Sequence, residues 1–383
     1  MGNLVQMARE LGPSIAERSE RIEATRTLPD DVVDDLRSVG LFRLFVPAEL
    51  GGPEVDVTTG MATIAEMARH DGGAAWCVMI AGTTSLLAGF LPPDHAATIY
   101  GPAESCTGGY SVPTGTARPV DGGLVVSGSW EWGSGTRHCT WIGGGTRIVN
   151  DVGATASRAD GLFAPFVFLE PGDVEFVDTW HVTGLSGSGS TDYTTREAFV
   201  PEGRWVQLTD AKPRLDGPLW RFPFYGMLAT GVAAVAIGLL DGAIDRFAEI
   251  AEAKTPQGSG RTLAERASGQ TAISTAEATA RSTRAFLLEA LGTAWDAASA
   301  GDPLSIEHRR VIRLAAADAA QRCADALINL QRQAGGTAVY LREPLQRAVR
   351  DGQVAATHGM VAERIHELTG RIRLGLDTDT TLL

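Results

Sequence analysis

The sequence predicts an α+β protein in which a β-rich unit lies between two helical units. Apolar residues recur at helix spacing up to about residue 100 and again after about residue 215, whereas the stretch between consists of short β-rich runs. Gly, Pro and Asp separate those runs, as expected for turns between strands. This order favours segregated layers over a doubly wound sheet. We therefore expect an N-terminal helical domain at 1–103, a central β-domain at 104–212 and a C-terminal helical bundle at 213–383.

The N-terminal unit carries clear helix boundaries. In "LPDDVVDDLRSVGLF" the apolar residues follow helix spacing, with Pro29 at the start and Gly40 near the end. The segment that follows, from "TTGMATIAEMARH" to "AAWCVMIAGTTSLLAGFL", predicts two more helices divided at "DGG". After residue 215, long Ala- and Leu-rich helices are predicted, broken at "KTPQGSG", "SAGDPLS" and "QAGGTAVY".

Composition and charge exclude several classes of function. The formal net charge is −13, and Lys212 and Lys254 are the only lysines among 383 residues. This balance argues against nucleic acid or an anionic membrane as the main partner. The scarcity of lysine also removes most candidates for Schiff-base chemistry.

The cysteines and the apolar segments indicate a cytoplasmic protein. The four cysteines form no C-x-x-C pair and show no metal-ligand spacing, which argues against a disulfide framework or a zinc site. The N-terminal stretch is amphipathic and acidic, unlike a secretory signal. The longest apolar run, "MLATGVAAVAIGLL" from Met227, is too short to span a bilayer and predicts a buried core helix.

The segment "WEWGSGTRHCTWI", Trp130 to Ile142, contains three tryptophans around a Ser134–Gly135 step. Its alternation predicts a strand, and the step at the strand end either serves packing or seats a flat, apolar ligand. No G-x-G-x-x-G follows a predicted strand and no Gly-Lys dipeptide occurs. A nucleotide-like cofactor would therefore not bind in the manner of a Rossmann fold or a P-loop.

Five segments, in order, resemble the acyl-CoA dehydrogenase superfamily, and most of all its two-component flavin-dependent monooxygenase branch. They are "LPDDVVDDLRSVGLFRLFVPAELGGPEV", "IAEMARHDGGAAWCV", "SVPTGTARPVDGGLVVSGSWEWGSG", "WHVTGLSGSGSTDY" and "PLQRAVRDGQVAATH". The resemblance implies an N-terminal helical domain, a central β-barrel domain and a C-terminal four-helix bundle.

The resemblance also assigns cofactor-binding residues. It places Trp132 beside the flavin ring and the Ser134 hydroxyl at the N5 edge, with Gly135 allowing close approach of the backbone. Ser111 matches a contact to the flavin pyrimidine, whereas Trp130 and Trp141 are expected to pack in the core. The loop "QAGGTAVY" resembles one that reaches the flavin phosphate of a neighbouring subunit. Gly335, Gly336 and Thr337 are therefore further candidates, and they imply a homo-oligomer, either a tetramer or a dimer.

The residues expected of a dehydrogenase are missing. The superfamily's tyrosine and glutamate base would fall at His358 and Gly359, and the other location of the base, in "MLATGVAAVAIGLL", holds no acid. The superfamily's Arg-x-x-Phe-Gly segment is not recognisable in "KTPQGSGRTLAE". His358 instead has the spacing of the monooxygenase branch, and histidine titrates near neutral pH, which suits an acid–base residue. Helix periodicity predicts His358 on one face with Arg347, Arg350 and Asp351, where an arginine would pair with Asp351.

The resemblance implies a monooxygenase that takes reduced FMN or FAD from a separate NAD(P)H flavin reductase. Through a C4a-hydroperoxide formed with O2, such an enzyme oxygenates a small aromatic, polycyclic or amine substrate. The helix "CVMIAGTTSLLAGF" lacks the histidine that phenol hydroxylases of the branch often carry, which argues against a simple phenol. A flavin dehydrogenase or oxidase with tightly bound FAD, and a non-catalytic paralogue, remain as alternatives.

Overall fold

The computed structural model describes residues 3–149, 164–209 and 211–383. Six helices form the N-terminal unit: α1 Leu4–Glu17, α2 Ser19–Thr25, α3 Asp30–Ser38, α4 Val57–Ala68, α5 Gly72–Ser85 and α6 Pro93–Tyr100. The predicted helix starts and breaks are confirmed. Helix α3 begins directly after Pro29 and ends at Ser38, and Gly40, two residues later, adopts a φ of +78°. Asp71 caps α5 by accepting the Ala74 N–H at 2.8 Å.

The strands of the central unit form one sheet. They are β1 Thr107–Val120, β2 Gly123–Gly133, β3 Trp141–Ile148, β4 Pro165–Leu169, β5 Glu175–Val177, β6 Thr191–Pro201 and β7 Trp205–Gln207. The strand order is β5-β6-β2-β1-β3-β4-β7, with β1 and β3 parallel and the other pairs antiparallel. The predicted β-domain is present as a seven-stranded sheet, and no hydrogen-bonded ladder joins its edge strands β5 and β7 across the described residues.

Five helices complete the chain: α7 Phe224–Ala253, α8 Ala267–Ser299, α9 Ile306–Ala334, α10 Pro344–Ala356 and α11 Arg364–Arg373. The first four pack on one another as the expected bundle, α11 packs on α9, and α4 and α5 pack on α7. Gly238 permits the close approach of α4, because a Cβ at this position would lie 2.1 Å from the Ala65 carbonyl oxygen.

Two helical segments are long and apolar enough to cross a membrane by length and composition, Gly72–Phe90 and Phe224–Ala253. The second is longer than the apolar run that the sequence suggested, so length alone does not exclude a span. The most apolar windows of the two segments are 94% and 78% buried inside the fold. Their apolar faces therefore contact other parts of this chain, as expected for core helices.

Candidate active site

Ser134 lies in the turn that follows β2, where Gly135 adopts a φ of +69°. Its hydroxyl is buried and accepts a hydrogen bond from the indole N–H of Trp76 at 3.0 Å. The same hydroxyl lies 2.6 Å from that of Ser190, which in turn lies 2.7 Å from that of Ser188. Ser134 thus ends a chain of three hydroxyls and is oriented by an indole on α5.

The two tryptophans of β2 face opposite environments. Trp130 is fully buried, stacks on Tyr193 with ring centroids 5.3 Å apart, and donates its indole N–H to the Gly145 carbonyl at 2.8 Å. Strict alternation would place Trp132 on the same face. The register between β2 and β6 shifts between Trp130 and Gly133, and Trp132 has a φ of +57°. Trp132 is consequently 55% exposed.

The exposed Trp132 and its neighbour Tyr110 form an aromatic edge of the sheet. The indole meets Tyr110 edge to face, with ring centroids 5.8 Å apart. Ser111 follows Tyr110 in β1 and is half-buried. Ser111 is thus a chain neighbour of the residue that contacts Trp132, and its role in cofactor binding stays a prediction. Trp141, which we expected in the core, is half-buried beneath the guanidinium of Arg204.

His358 is not on a helix, so the predicted helical face is wrong at this residue. Helix α10 ends at Ala356, because the chain tightens into a turn in which the His358 N–H donates to the Ala355 carbonyl and the Thr357 hydroxyl to the Val354 carbonyl. The His358 ring then lies edge-on to the Trp76 indole, with centroids 5.6 Å apart. Trp76 therefore contacts both predicted catalytic residues, Ser134 and His358.

The protonation state of His358 differs from the sequence expectation. Burial, with Arg313 and Arg364 nearby, lowers its pKa to about 4. Its Nδ1 accepts the Met360 N–H at 3.3 Å, so the neutral ring carries its proton on Nε2. At neutral pH His358 is a hydrogen-bond donor through Nε2, not a group that titrates near the operating pH.

Arg313 on α9 fixes the turn that carries His358. Its side chain is 1% exposed and donates to the carbonyls of Met360, at 3.1 Å, and Leu382. Its hydrogen-bond partners within the described residues are carbonyls and not carboxylates, and burial together with Arg364 lowers the pKa of Arg313 to about 10. Arg313 and Trp76 carry no local signal of a role in the sequence, because both act through contacts between distant segments.

The expected ion pair with Asp351 is also wrong. Arg347 and Arg350 both pair with Glu23 of α2, at 2.9 and 2.5 Å. Asp351 instead accepts the Leu185 N–H at 2.6 Å and so holds the segment that carries Ser188 and Ser190. Burial and the neighbouring Asp71 raise the pKa of Asp351 to about 7, although the Leu185 hydrogen bond opposes the shift.

A small enclosed cavity of about 20 Å³ adjoins Ser111. It is lined by apolar side chains and by two threonines of α5, with no charged side chain: Ile80, Thr83, Thr84, Phe166, Phe224 and Leu228. Thr84 bonds several neighbours, including the Thr107 hydroxyl at 2.7 Å. The Thr83 hydroxyl is fully buried and has no hydrogen-bond partner among the described residues. This orphaned hydroxyl is a further candidate that the sequence did not reveal.

Gly335, Gly336 and Thr337 are not part of this group. They follow α9 and precede α10, whereas His358 follows the other end of α10. A helix of 13 residues is about 20 Å long, so α10 separates the glycine loop from the Trp76 contacts within one chain. The loop borders an open cavity of about 420 Å³ that also includes Lys254 and Tyr340.

Comparisons with known proteins agree with this architecture. Two family models match: Acyl-CoA dehydrogenase, N-terminal domain, over residues 3–91, and Acyl-CoA dehydrogenase, C-terminal domain, over residues 230–363. The chain is 29% identical to indole-3-acetate monooxygenase of Pseudomonas putida, with 94% of this chain and 90% of the relative covered. It is 26% identical to the flavin-dependent monooxygenase oxygenase subunit HsaA of Mycobacterium tuberculosis, over 97% and 95% of the two chains.

A solved structure shares the whole fold. XiaF from Streptomyces, determined in complex with FADH2 and glycerol, superimposes with a TM-score of 0.90 and 26% identity. The alignment covers 98% of this chain and 95% of XiaF. The chain belongs to the acyl-CoA dehydrogenase superfamily, among its flavin-dependent monooxygenases.

Proposed function

We propose that this chain is the oxygenase component of a two-component monooxygenase that uses reduced FMN or FAD and O2 to oxygenate a small aromatic molecule. The observation that carries the proposal is the contact of Trp76 with both Ser134 and His358, beside the exposed indole of Trp132. The relative named as an oxygenase subunit supports a separate NAD(P)H flavin reductase as partner, and the FADH2 complex of XiaF supports the reduced cofactor.

The residues at the aromatic edge fit a flat, tricyclic ring. Trp132 and Tyr110 offer an apolar surface on which such a ring can pack, and Ser111 and Ser134 place hydroxyls at its border. Gly135, with positive φ, leaves the backbone of the turn without a side chain. Bound here, reduced flavin would supply two electrons and the position at which O2 is activated.

The polar residues of the chain have separate roles in this proposal. The Trp76 indole fixes the Ser134 oxygen, and the hydroxyls of Ser190 and Ser188 continue from it, so a proton at Ser134 has a short path along three side chains. His358 remains neutral and donates from Nε2 to a substrate or cofactor oxygen. Burial of this group excludes water, which strengthens each hydrogen bond.

The enclosed cavity favours a neutral aromatic substrate. Its lining holds no charged side chain, and Phe166 and Phe224 are suited to pack against a planar ring. The Thr83 hydroxyl would pair with a single polar group of that ring. At about 20 Å³ the cavity has room for about one water molecule, so substrate entry requires these side chains to move apart.

Three further assignments belong to the same proposal. The glycine loop, which we define as Gly335–Thr337, would contact the cofactor phosphate of a neighbouring subunit, because α10 separates it from His358 in its own chain. This requires a homo-oligomer, a dimer or a tetramer. The acidic composition and buried thiols agree with a cytoplasmic location.

The test begins with anaerobic titrations of the protein with reduced and oxidised FMN and FAD, in which tryptophan fluorescence reports binding. Reactions with isotopically labelled O2 and a flavin reductase then compare indole with indole-3-acetate. We expect tighter binding of reduced flavin and labelled oxygen in the indole product. Tight binding of oxidised FAD without label in the product would establish the dehydrogenase or oxidase, and no flavin binding would establish the non-catalytic paralogue.

A further inference from the structure

Two buried cysteines lie in contact beneath the Ser134–Gly135 turn. The Sγ atoms of Cys106 and Cys139 are 3.9 Å apart, and both thiols are free. Cys106 directly precedes β1 and Cys139 closely precedes β3. The Thr140 N–H donates to the Cys106 carbonyl at 2.8 Å, so the two backbones are neighbours. Adjacent strands lie about 5 Å apart, within the Cα separation of about 4.4–6.8 Å that a disulfide accepts.

His138 stands beside this pair without a fixed partner. Its ring stacks on Phe42, with centroids 5.2 Å apart, and both ring nitrogens are buried without a hydrogen-bond partner among the described residues. The contact with the Cys139 thiol, with His138 and Arg37 nearby, lowers the pKa of Cys106 although burial opposes the shift, whereas burial and the contact with Cys106 raise the pKa of Cys139. These directions favour Cys106 as the attacking thiol, because a thiolate is the nucleophile in thiol oxidation.

The cluster borders the proposed active site and does not have the arrangement of a metal site. A Cβ added at Gly108 would lie 3.1 Å from the Cys139 Sγ and 3.4 Å from Ile80, which lines the enclosed cavity. Across residues 3–149, 164–209 and 211–383, no group of three or more His, Cys, Asp or Glu side chains is arranged to hold a metal ion. The chemistry open to the pair is thiol oxidation.

We propose that Cys106 and Cys139 are a peroxide-reactive dithiol that closes to a disulfide beneath the Ser134–Gly135 turn and lowers the yield of oxygenated product. The source of the oxidant rests on the proposed function: O2 reduced by two electrons without oxygen transfer leaves as hydrogen peroxide. Peroxide released beside Ser134 would form close to the pair, because the Cys139 thiol donates to the carbonyl of the adjacent Gly135 at 3.3 Å.

The oxidation balances with hydrogen peroxide as the sole oxidant. The Cys106 thiolate attacks one peroxide oxygen, the O–O bond breaks, and Cys106 becomes a sulfenic acid while the other oxygen leaves as water. His138 takes the Cys106 proton and returns it to that leaving oxygen. The Cys139 sulfur then attacks the Cys106 sulfur and displaces the sulfenic oxygen as a second water. Two thiols are oxidised, and one peroxide molecule is reduced to two water molecules.

Closure would disturb the turn that carries Ser134. The two sulfurs must approach from 3.9 Å to about 2 Å, and the Cys139 thiol loses its hydrogen bond to the Gly135 carbonyl at 3.3 Å. Gly135 is also joined to the Ser188 carbonyl, which accepts its N–H at 2.9 Å. Moving Gly135 therefore changes the position of the Ser134 hydroxyl and its hydrogen bonds to the Ser190 and Ser188 hydroxyls.

The test treats the purified full-length protein with hydrogen peroxide, without flavin, and counts free thiols after denaturation. We expect the count to fall from four to two, with peptide mapping that joins Cys106 to Cys139. Dithiothreitol should restore four thiols and, in the flavin-supplied assay, the initial product yield per O2 consumed. The peroxide arm needs no enzyme activity, so it can fail independently of the proposed function.

Single substitutions supply the controls. Cys323→Ser removes a buried thiol on α9 away from the pair and should still form the disulfide. Cys139→Ser should stop at a sulfenic acid on Cys106, which dimedone traps, and Cys106→Ser should form neither product. If these variants do not fold, peptide mapping of the oxidised wild-type protein still shows whether Cys106 and Cys139 are joined. Four free thiols after prolonged peroxide treatment, or a disulfide that includes Cys77, would overturn the proposal.

Discussion

The neutral state of His358 can be tested through the pH dependence of stability. Its pKa of about 4 in the folded protein lies below the value of about 6.5 in an unfolded chain. The unfolded state therefore binds the proton more tightly, so stability that is present above about pH 6.5 is lost as the pH falls toward 4. The full difference of about 2.5 pH units corresponds to about 3 kcal/mol, of which about 2 kcal/mol is lost by pH 5.

The substitution His358→Asn removes the titration while keeping a polar side chain. We expect the stability difference between wild type and His358→Asn to shrink by about 2 kcal/mol between about pH 7.5 and pH 5, measured by urea unfolding. His366→Asn, at an exposed position on α11, is the matched control and should follow wild type at each pH. Parallel pH profiles for wild type and His358→Asn would refute the neutral-donor role.

Three further outcomes follow from the buried polar groups. Ser134→Ala leaves the Trp76 indole N–H without its acceptor, so the free energy of unfolding in urea should fall by about 1–3 kcal/mol and product per O2 should fall. Ser190→Ala keeps the Trp76 hydrogen bond and should retain more product. Asp351 has a raised pKa of about 7, so its stabilising contribution falls as the pH rises from about 4 to 7, by up to about 4 kcal/mol. Asp351→Asn should therefore gain stability relative to wild type over that range, and a constant difference would contradict the burial argument. Thr83→Val should keep or raise the melting temperature, because it removes an unpaired buried hydroxyl. KM for a neutral heteroaromatic substrate should rise about tenfold, because the loss of one hydrogen bond of about 1.4 kcal/mol weakens binding by that factor. An unchanged KM would remove Thr83 from the substrate site.

The helices and the sheet could be predicted because local signals agree with the fold. Pro29 and Gly40 bound α3, and the alternating runs between turn residues form the central sheet. Trp130 was expected in the core and is fully buried there. In these segments the boundary residues and the alternation of apolar residues are local signals that predict the element and its buried side.

The details of the site depend on contacts that spacing does not encode. The register shift between Trp130 and Gly133 turns Trp132 outward, and it is set by pairing with β6. The pairing of Arg347 with Glu23 joins residues 324 positions apart. The contact of Trp76 with Ser134 and His358 needs α5, the end of β2 and the end of α10 to be in place together.

The most direct test of the central claim is a stopped-flow experiment that mixes the protein and reduced flavin with oxygenated buffer. If the Trp132–Ser134 region holds reduced flavin away from water, a transient spectrum distinct from both reduced and oxidised flavin should form and persist. Its decay should be faster in Ser134→Ala than in wild type, and product should appear as it decays when substrate is present. Direct conversion to oxidised flavin, at the rate seen without protein, would contradict the assignment of this chain as an oxygenase.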